Sequence, residues 1–371
     1  MKITKTAIFV LMIFALGCKD DPPVVVVDPD PKPPVEITTP TKMIVNIDNL
    51  RLRAAAGDKG EEVGKLRKGS VLYDLGEVSD FTTKVQLRGI WFEEPWLKVK
   101  TDQNLEGWVY GGAVTFDMEN PTALSNMVLN KRLQTFFGNG ITLKLSRYKS
   151  DYESLKTSSD FAQNFKEGIE LRDTLTTILE NRINVGETNE MPDLFWIENA
   201  IPGYVTQLVA EGTIYYLFQD FRQFQQKAMS TEGVEDDEFV DLNLLVYAAD
   251  SVEHFFPSWF IQTWDYGGCS LLGKGEHIKV LRKIDRVFMG SGLFAAEVKE
   301  IKDRLIDDIT NKDIDYWETK QKILLELDSI MGSGFDVLTN EDMILLKTRR
   351  MQFEYPAENN IKVNFRSGEP N

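Results

Sequence analysis

The sequence predicts a multidomain chain: a small all-β barrel followed by a mostly α-helical domain. Between about 43 and 117, short β-prone runs are punctuated by Gly57, Gly64, Gly69, Gly76, Gly89 and Gly107, the spacing of strands joined by tight turns. After Asn120-Pro121, a favourable helix start, apolar residues recur at helical spacing, as in Phe161, Phe165 and Ile169, then Leu175, Ile178 and Leu179. Upstream of both, the composition belongs to neither class.

The first residues read as a leader. Lys2 and Lys5 precede the unbroken apolar run Ala7 to Leu16, then small Gly17 and Cys18. This is the layout of a secretory signal peptide, and the run is about half of the ~20 residues a spanning helix needs. Ala15-Leu16-Gly17-Cys18 resembles the bacterial lipobox, with Ala15 where Leu is commoner. The resemblance implies loss of residues 1–17, a diacylglycerol on the Cys18 sulfur and acylation of the new amino terminus. Lys19-Asp20-Asp21 resembles the export signal of surface lipoproteins in the Bacteroidota. The expected location is therefore the outer membrane, facing the cell surface or the periplasm.

Residues 18–42 read as a lipidated tether. The stretch from Pro22 to Pro40 holds half of the chain's 14 prolines. Proline fixes φ and removes amide donors, so the segment is expected to be extended, reaching roughly 70 Å at ~3.1 Å per residue.

The whole chain has 371 residues and a net charge of −16, and losing Lys2 and Lys5 makes it more acidic still. Such a charge repels phosphate backbones, so no nucleic-acid partner is expected. It also opposes anionic headgroups, leaving the covalent lipid as the tie to the membrane. With Cys18 lipidated, Cys269 stands alone and no intrachain disulfide is expected.

Four motifs in order carry a resemblance for residues 43–117. Leu50-Arg51-Leu52-Arg53-Ala54-Ala55-Ala56-Gly57, Val63 to Val71, Trp96-Leu97-Lys98-Val99 and Gly107-Trp108-Val109 followed by Ala113-Val114 are similar to the successive strands of bacterial Src-homology-3-like (SH3b) domains. Arg51 and Ala55-Ala56 depart from the family at the first turn, and Glu77 to Pro95 is a long insertion. Leu50, Leu52, Val63, Leu66, Val71 and Tyr73 alternate as a small barrel's filling requires. Trp96 and Trp108 are expected on barrel strands. The resemblance implies binding of a cell-wall peptide or an envelope protein rather than catalysis. Tyr73, Trp91, Phe92 and Tyr110 are the candidate ligand-binding residues, two of them inside the insertion.

Residues 121–360 are expected to hold five to eight helices, including long ones over Gly203 to Ala228 and over Asp236 to Trp264, with a last strand near Ile361 to Phe365 in the tail 361–371. Gly267-Gly268-Cys269-Ser270-Leu271-Leu272 resembles the nucleophile helix of NlpC-type cell-wall peptidases. A thiolate nucleophile needs a histidine base. The family's downstream His-Val-Gly strand is missing, and His277 lies only eight residues on. Asp250 and His254, with Glu253, have helical i, i+4 spacing, but a zinc site wants three or four ligands. Glu198 and Glu211 lie in apolar stretches suited to a raised carboxyl pKa, without the flanking residues of a lytic transglycosylase. The acidic run Glu232 to Asp241 reads as a solvated loop and helix start. Gly273-Lys274-Gly275 is too short for a phosphate loop. No cofactor, metal site or catalytic residue is assigned.

The expectation is a lipid-anchored binding or scaffolding protein of the envelope, the alternative being a peptidoglycan hydrolase with an unrecognised carboxylate site. A paired carboxylate in a helical cleft would favour the enzyme, and an apolar helical groove would favour binding. For the anchor, Cys18→Ser is expected to leave the precursor uncut and to change its membrane fractionation. A normally matured, membrane-bound mutant on gels and in fractionation would contradict the lipobox.

Overall fold

The computed structural model describes residues 41–116, 123–183, 194–209, 214–263, 267–290 and 292–365; Cys18, the expected tether up to residue 40 and Glu211 lie outside them, while Lys42, assigned to that tether, opens the first strand. The N-terminal part is built from β1 (Lys42–Val45), β2 (Leu50–Arg53), β3 (Glu62–Leu66), β4 (Val71–Leu87), β5 (Ile90–Thr101), β6 (Glu106–Tyr110) and β7 (Val114–Phe116). They form one seven-stranded sheet in the order β3-β2-β6-β5-β4-β1-β7, and the adjacent strands run antiparallel.

This corrects the expected barrel. In a closed barrel the outermost strands would pair with each other, whereas here β3 and β7 stand at opposite ends of an open sheet. The cause is the insertion. Glu77 to Pro95 is not a loop but the continuation of β4 and β5 as one long hairpin. Its apolar face is too long to be covered by so short a set of neighbouring strands, and a helix covers it instead. The burial phase differs too. β4 buries Leu72, while Tyr73 and Val63 face solvent, and Trp108 is only half-buried where Trp96 is fully so.

The second part is mixed rather than mostly α, so the chain as a whole is an open β-sheet followed by a helical region with its own small sheets. Nine α-helices occur among the described residues: α1 (Ala123–Phe137), α2 (Asn139–Ser154), α3 (Ser158–Arg182), α4 (Phe221–Ala228), α5 (Glu235–Val246), α6 (Glu276–Phe288), α7 (Ala295–Thr310), α8 (Lys320–Gly332) and α9 (Asn340–Glu354). The stretch from Gly203 opens with a hairpin, β8 (Tyr204–Val209) against β9 (Ile214–Gln219), and only then becomes helical. Ile-Tyr-Tyr-Leu-Phe is, but for Leu217, a run of β-branched and aromatic residues, which fit a pleated, half-buried surface better than a helix. Asp220 then starts α4 by accepting the Arg222 and Gln223 amides. Likewise α5 stops at Val246. Beyond it β10 (Phe260–Gln262), β11 (Gly268–Ser270) and β12 (Asp315–Tyr316) form a three-stranded sheet. Residues Ile361 to Phe365 make no strand, yet Lys362 accepts the Tyr316 amide and Asn364 donates to Glu318 at 2.9 Å each.

Sheet and helices belong to one compact unit, Pro40–Asn371. In its helical region Phe161, Phe165, Phe224, Phe239 and Phe294 pack largely edge-to-face, with Phe239 and Phe294 stacked at 4.1 Å. The junction with the sheet is polar. Arg132 of α1 donates from Nε to Glu94 of β5 at 2.9 Å and from Nη2 to the carbonyls of Gly111 and Val114 at 2.9 and 3.3 Å. Its guanidinium lies 5.2 Å from the ring centroid of Trp196, in the 3-10 turn Phe195–Ala200. Both charged side chains are buried.

Breaking one half of such a pair leaves a charge in a dry interior. Arg132→Met is therefore expected to cost about 3–5 kcal/mol, and adding Glu94→Leu to recover much of that loss. Denaturant midpoints of the two variants check both halves of the statement.

Candidate binding face

The β4–β5 hairpin turns on Arg88 and Gly89, with φ of +49° and +82°. Two consecutive residues of positive φ make the two-residue turn whose twist matches that of paired strands. Glycine adopts this freely; Arg88 does so at some cost and is held by a hydrogen bond from its Nη2 to the Asn46 carbonyl at 3.2 Å. The turn fixes the register, with Leu87 opposite Ile90, Gln86 opposite Trp91, Val85 opposite Phe92 and Lys84 opposite Glu93. Register decides which face each side chain takes. Ile90, Phe92 and Glu94 turn inward and are buried, while Trp91 and Glu93 turn outward.

The outward face is a small constructed surface. Trp91 is 54% exposed. Lys84 sits over its ring at 5.2 Å, an arrangement in which the ammonium is drawn to the electron-rich face of the indole. Glu93 accepts a hydrogen bond from Thr82 Oγ1 at 3.2 Å.

The other three candidate residues do not join this surface. Phe92 is core. Tyr110 is core as well, its hydroxyl 2.8 Å from the Thr83 carbonyl and 3.0 Å from that of Phe92 while it accepts the Glu94 amide at 3.3 Å. Burial, and then the Glu94 charge, push its phenol above the ordinary range. Tyr73 is exposed but pairs with Lys100, nine residues along β5 from Trp91 and so roughly 30 Å away. Sequence reasoning missed Lys84; the signal available was its place opposite Glu93 once an Arg-Gly turn is assumed.

The residues weighed for catalysis are occupied with holding the fold. Cys269 is buried on β11. Ser270 donates to Asp308 Oδ2 at 2.6 Å, and His277 Nε2 meets the same oxygen at 2.7 Å. A nucleophile–base pair needs serine bonded to histidine; here each is bonded to the carboxylate between them, and both are fully buried. Asp250, Glu253 and His254 lie beyond the end of α5, not on a helix. They diverge in use. Asp250 accepts the Val252 amide, Glu253 takes Arg172 at 3.0 Å and the Gln219 amide at 3.2 Å, and His254 accepts the Phe256 amide. No three His, Cys, Asp or Glu among the described residues are grouped to hold a metal ion. Glu198 accepts the Thr206 amide. The polar cleft between α2 and α3 contains Asp151, Asp160 and Glu167. Of these, Asp160 caps α3 and its carboxyl is lowered by the Thr157 hydroxyl, the wrong direction for a general acid. No helix among the described residues is long and apolar enough to cross a membrane.

The chain matches no family model, no curated protein and no solved structure.

Tyr110→Phe is expected to cost about 1–3 kcal/mol, because it strands the buried groups that the hydroxyl serves. Thermal or chemical unfolding reads this directly; a loss of binding at unchanged stability would instead put Tyr110 in contact with ligand.

Proposed function

We propose that this is a lipid-anchored binding or scaffolding protein of the bacterial cell envelope, which captures a cell-wall peptide or a partner protein through the outward face of the β4–β5 hairpin. One observation carries the reading: Trp91 stands in solvent on a hairpin whose opposite face is locked into the core. Half-exposed, the Trp91 indole forgoes about half of the roughly 1.5–3 kcal/mol that full burial of a large apolar side chain provides. A partner that covers it gains that energy without having to order the strand beneath, because the turn and the packing of Phe92 have already done so. Aromatic anchors of this kind dominate interface energetics.

The lipobox-like Cys18 and the Pro-rich stretch after it support the envelope location. An extended tether of that composition would let the folded part reach a neighbouring surface or protein. The similarity of the strand motifs to SH3b modules supports the choice between classes, since those modules bind beside catalytic partners.

The test separates the two aromatic neighbours. Trp91→Ala is expected to weaken capture of purified cell-wall sacculi or of envelope proteins in a pulldown by about thirtyfold, with an unchanged circular dichroism melt. Phe92→Ala is expected to lower stability by about 3–5 kcal/mol. Normal capture by the folded Trp91 variant would remove the hairpin from the binding surface.

A further inference from the structure

A second surface lies far along the chain from the hairpin. The start of α5, the end of α6 and the start of α7 enclose a groove of about 350 Å³. Its floor is apolar: Val287, Leu293 and Val298 surround Phe294, itself stacked on buried Phe239. Its walls are apolar too, yet in solvent, with Val234 66% and Met289 65% exposed and Phe288 nearly half so. Large apolar side chains gathered around a cavity, rather than scattered singly, mark an interaction site.

The rim is acidic. Glu235, Asp237 and Glu238 stand in the first turn of α5, and Glu235 and Glu238 line the groove itself, whereas Asp236 of the same turn is buried and bonded to Ser158 and Thr231. Lys283 offsets part of this by pairing with Glu238 and with Asp241, and Arg286 also reaches the groove. The remaining charge is still crowded. Burial, then Asp236, Asp241 and Glu238, raise the Asp237 carboxyl above its ordinary value.

A second copy of this chain fits poorly, since a two-fold contact would bring the same acidic rim against itself in a chain whose net charge is −16. We infer that the groove docks a segment of a partner protein in which apolar anchors are flanked by lysines or arginines. The apolar side chains take the place of water over Val234, Phe288 and Met289, and the basic flanks meet the α5 carboxylates. This site is independent of the hairpin; together they would give a scaffold two separate handles.

The test uses the full mature chain and two dye-labelled synthetic amphipathic peptides, one of leucine and lysine, the other of leucine and glutamate. Fluorescence anisotropy is expected to show saturable binding of the leucine–lysine peptide alone. Met289→Asp should weaken it by about thirtyfold, the typical effect of losing an interface anchor. Asp237→Lys should weaken it with a reduced dependence on salt. Trp91→Ala should leave it unchanged. If Met289→Asp alters the circular dichroism spectrum, Val234→Asp, also lining the groove, carries the same expectation. Absence of binding, equal binding of the two peptides, or leucine–lysine binding indifferent to the folded Met289 and Val234 variants would each overturn the groove assignment, the last by showing attraction to net charge alone. None of these results bears on the Trp91 pulldown, so the two surfaces stand or fall separately.

Discussion

A buried carboxylate must be given donors, and Glu94 shows how far that requirement shapes this molecule. It points inward because strand alternation puts it on the same face as Ile90 and Phe92. No neighbouring strand offers it a cation. Arg132 of α1 does, and once there the guanidinium also takes up two sheet carbonyls and covers Trp196. One ion pair thus fixes where the first helix crosses the sheet and where the turn after α3 comes to rest. The same logic recurs deeper in the chain. Glu326 of α8 accepts the amides of Gly273, Gly275 and Ile278 at the start of α6. Asp236 accepts hydrogen bonds from the Ser158 and Thr231 hydroxyls, and Asp342 of α9 meets Lys302 of α7 at 2.7 Å. Apolar burial supplies most of the stability; these pins tie neighbouring elements together at defined points.

Local pattern was readable where a single period dominates. The span of α6 follows from Ile278, Leu281 and Ile284 recurring on one face, all buried, and the strand positions of Leu50 and Leu52 or of Trp96 to Val99 follow from alternation and glycine spacing. Closure of the sheet was not readable. It depends on whether a long hairpin finds a helix or another strand to cover it, and that information sits in Arg132, outside the β region altogether. The hairpin β8–β9 was hidden for another reason. Tyr204 to Phe218 is apolar enough to satisfy a helical or a strand pattern, and the core contacts with α3 decide between them.

The site was legible in part. Aromatic residues in an insertion are worth attention, but a two-residue period splits adjacent aromatics between faces, so Trp91 and Phe92 could never have served one groove. The acidic run beginning at Glu232 presented the opposite difficulty. Its charges were plain, while the apolar walls of the groove beside it come from Val234 and from the distant pair Phe288 and Met289, brought together by the packing of α5 on α6.

An open sheet, unlike a closed one, has two outer strands, and an outer strand with unpaired backbone groups can recruit further chains into growing fibrils. The two edges here deter this by different means. On β3, Glu62 holds Arg51 at 3.4 Å and Lys65 at 3.7 Å, so an approaching strand would have to strip water from a cluster of charges. On the far side, β7 spans only Val114–Phe116, too short a template for stable stacking. Loss of closure therefore carries little risk of self-association, even for molecules crowded side by side.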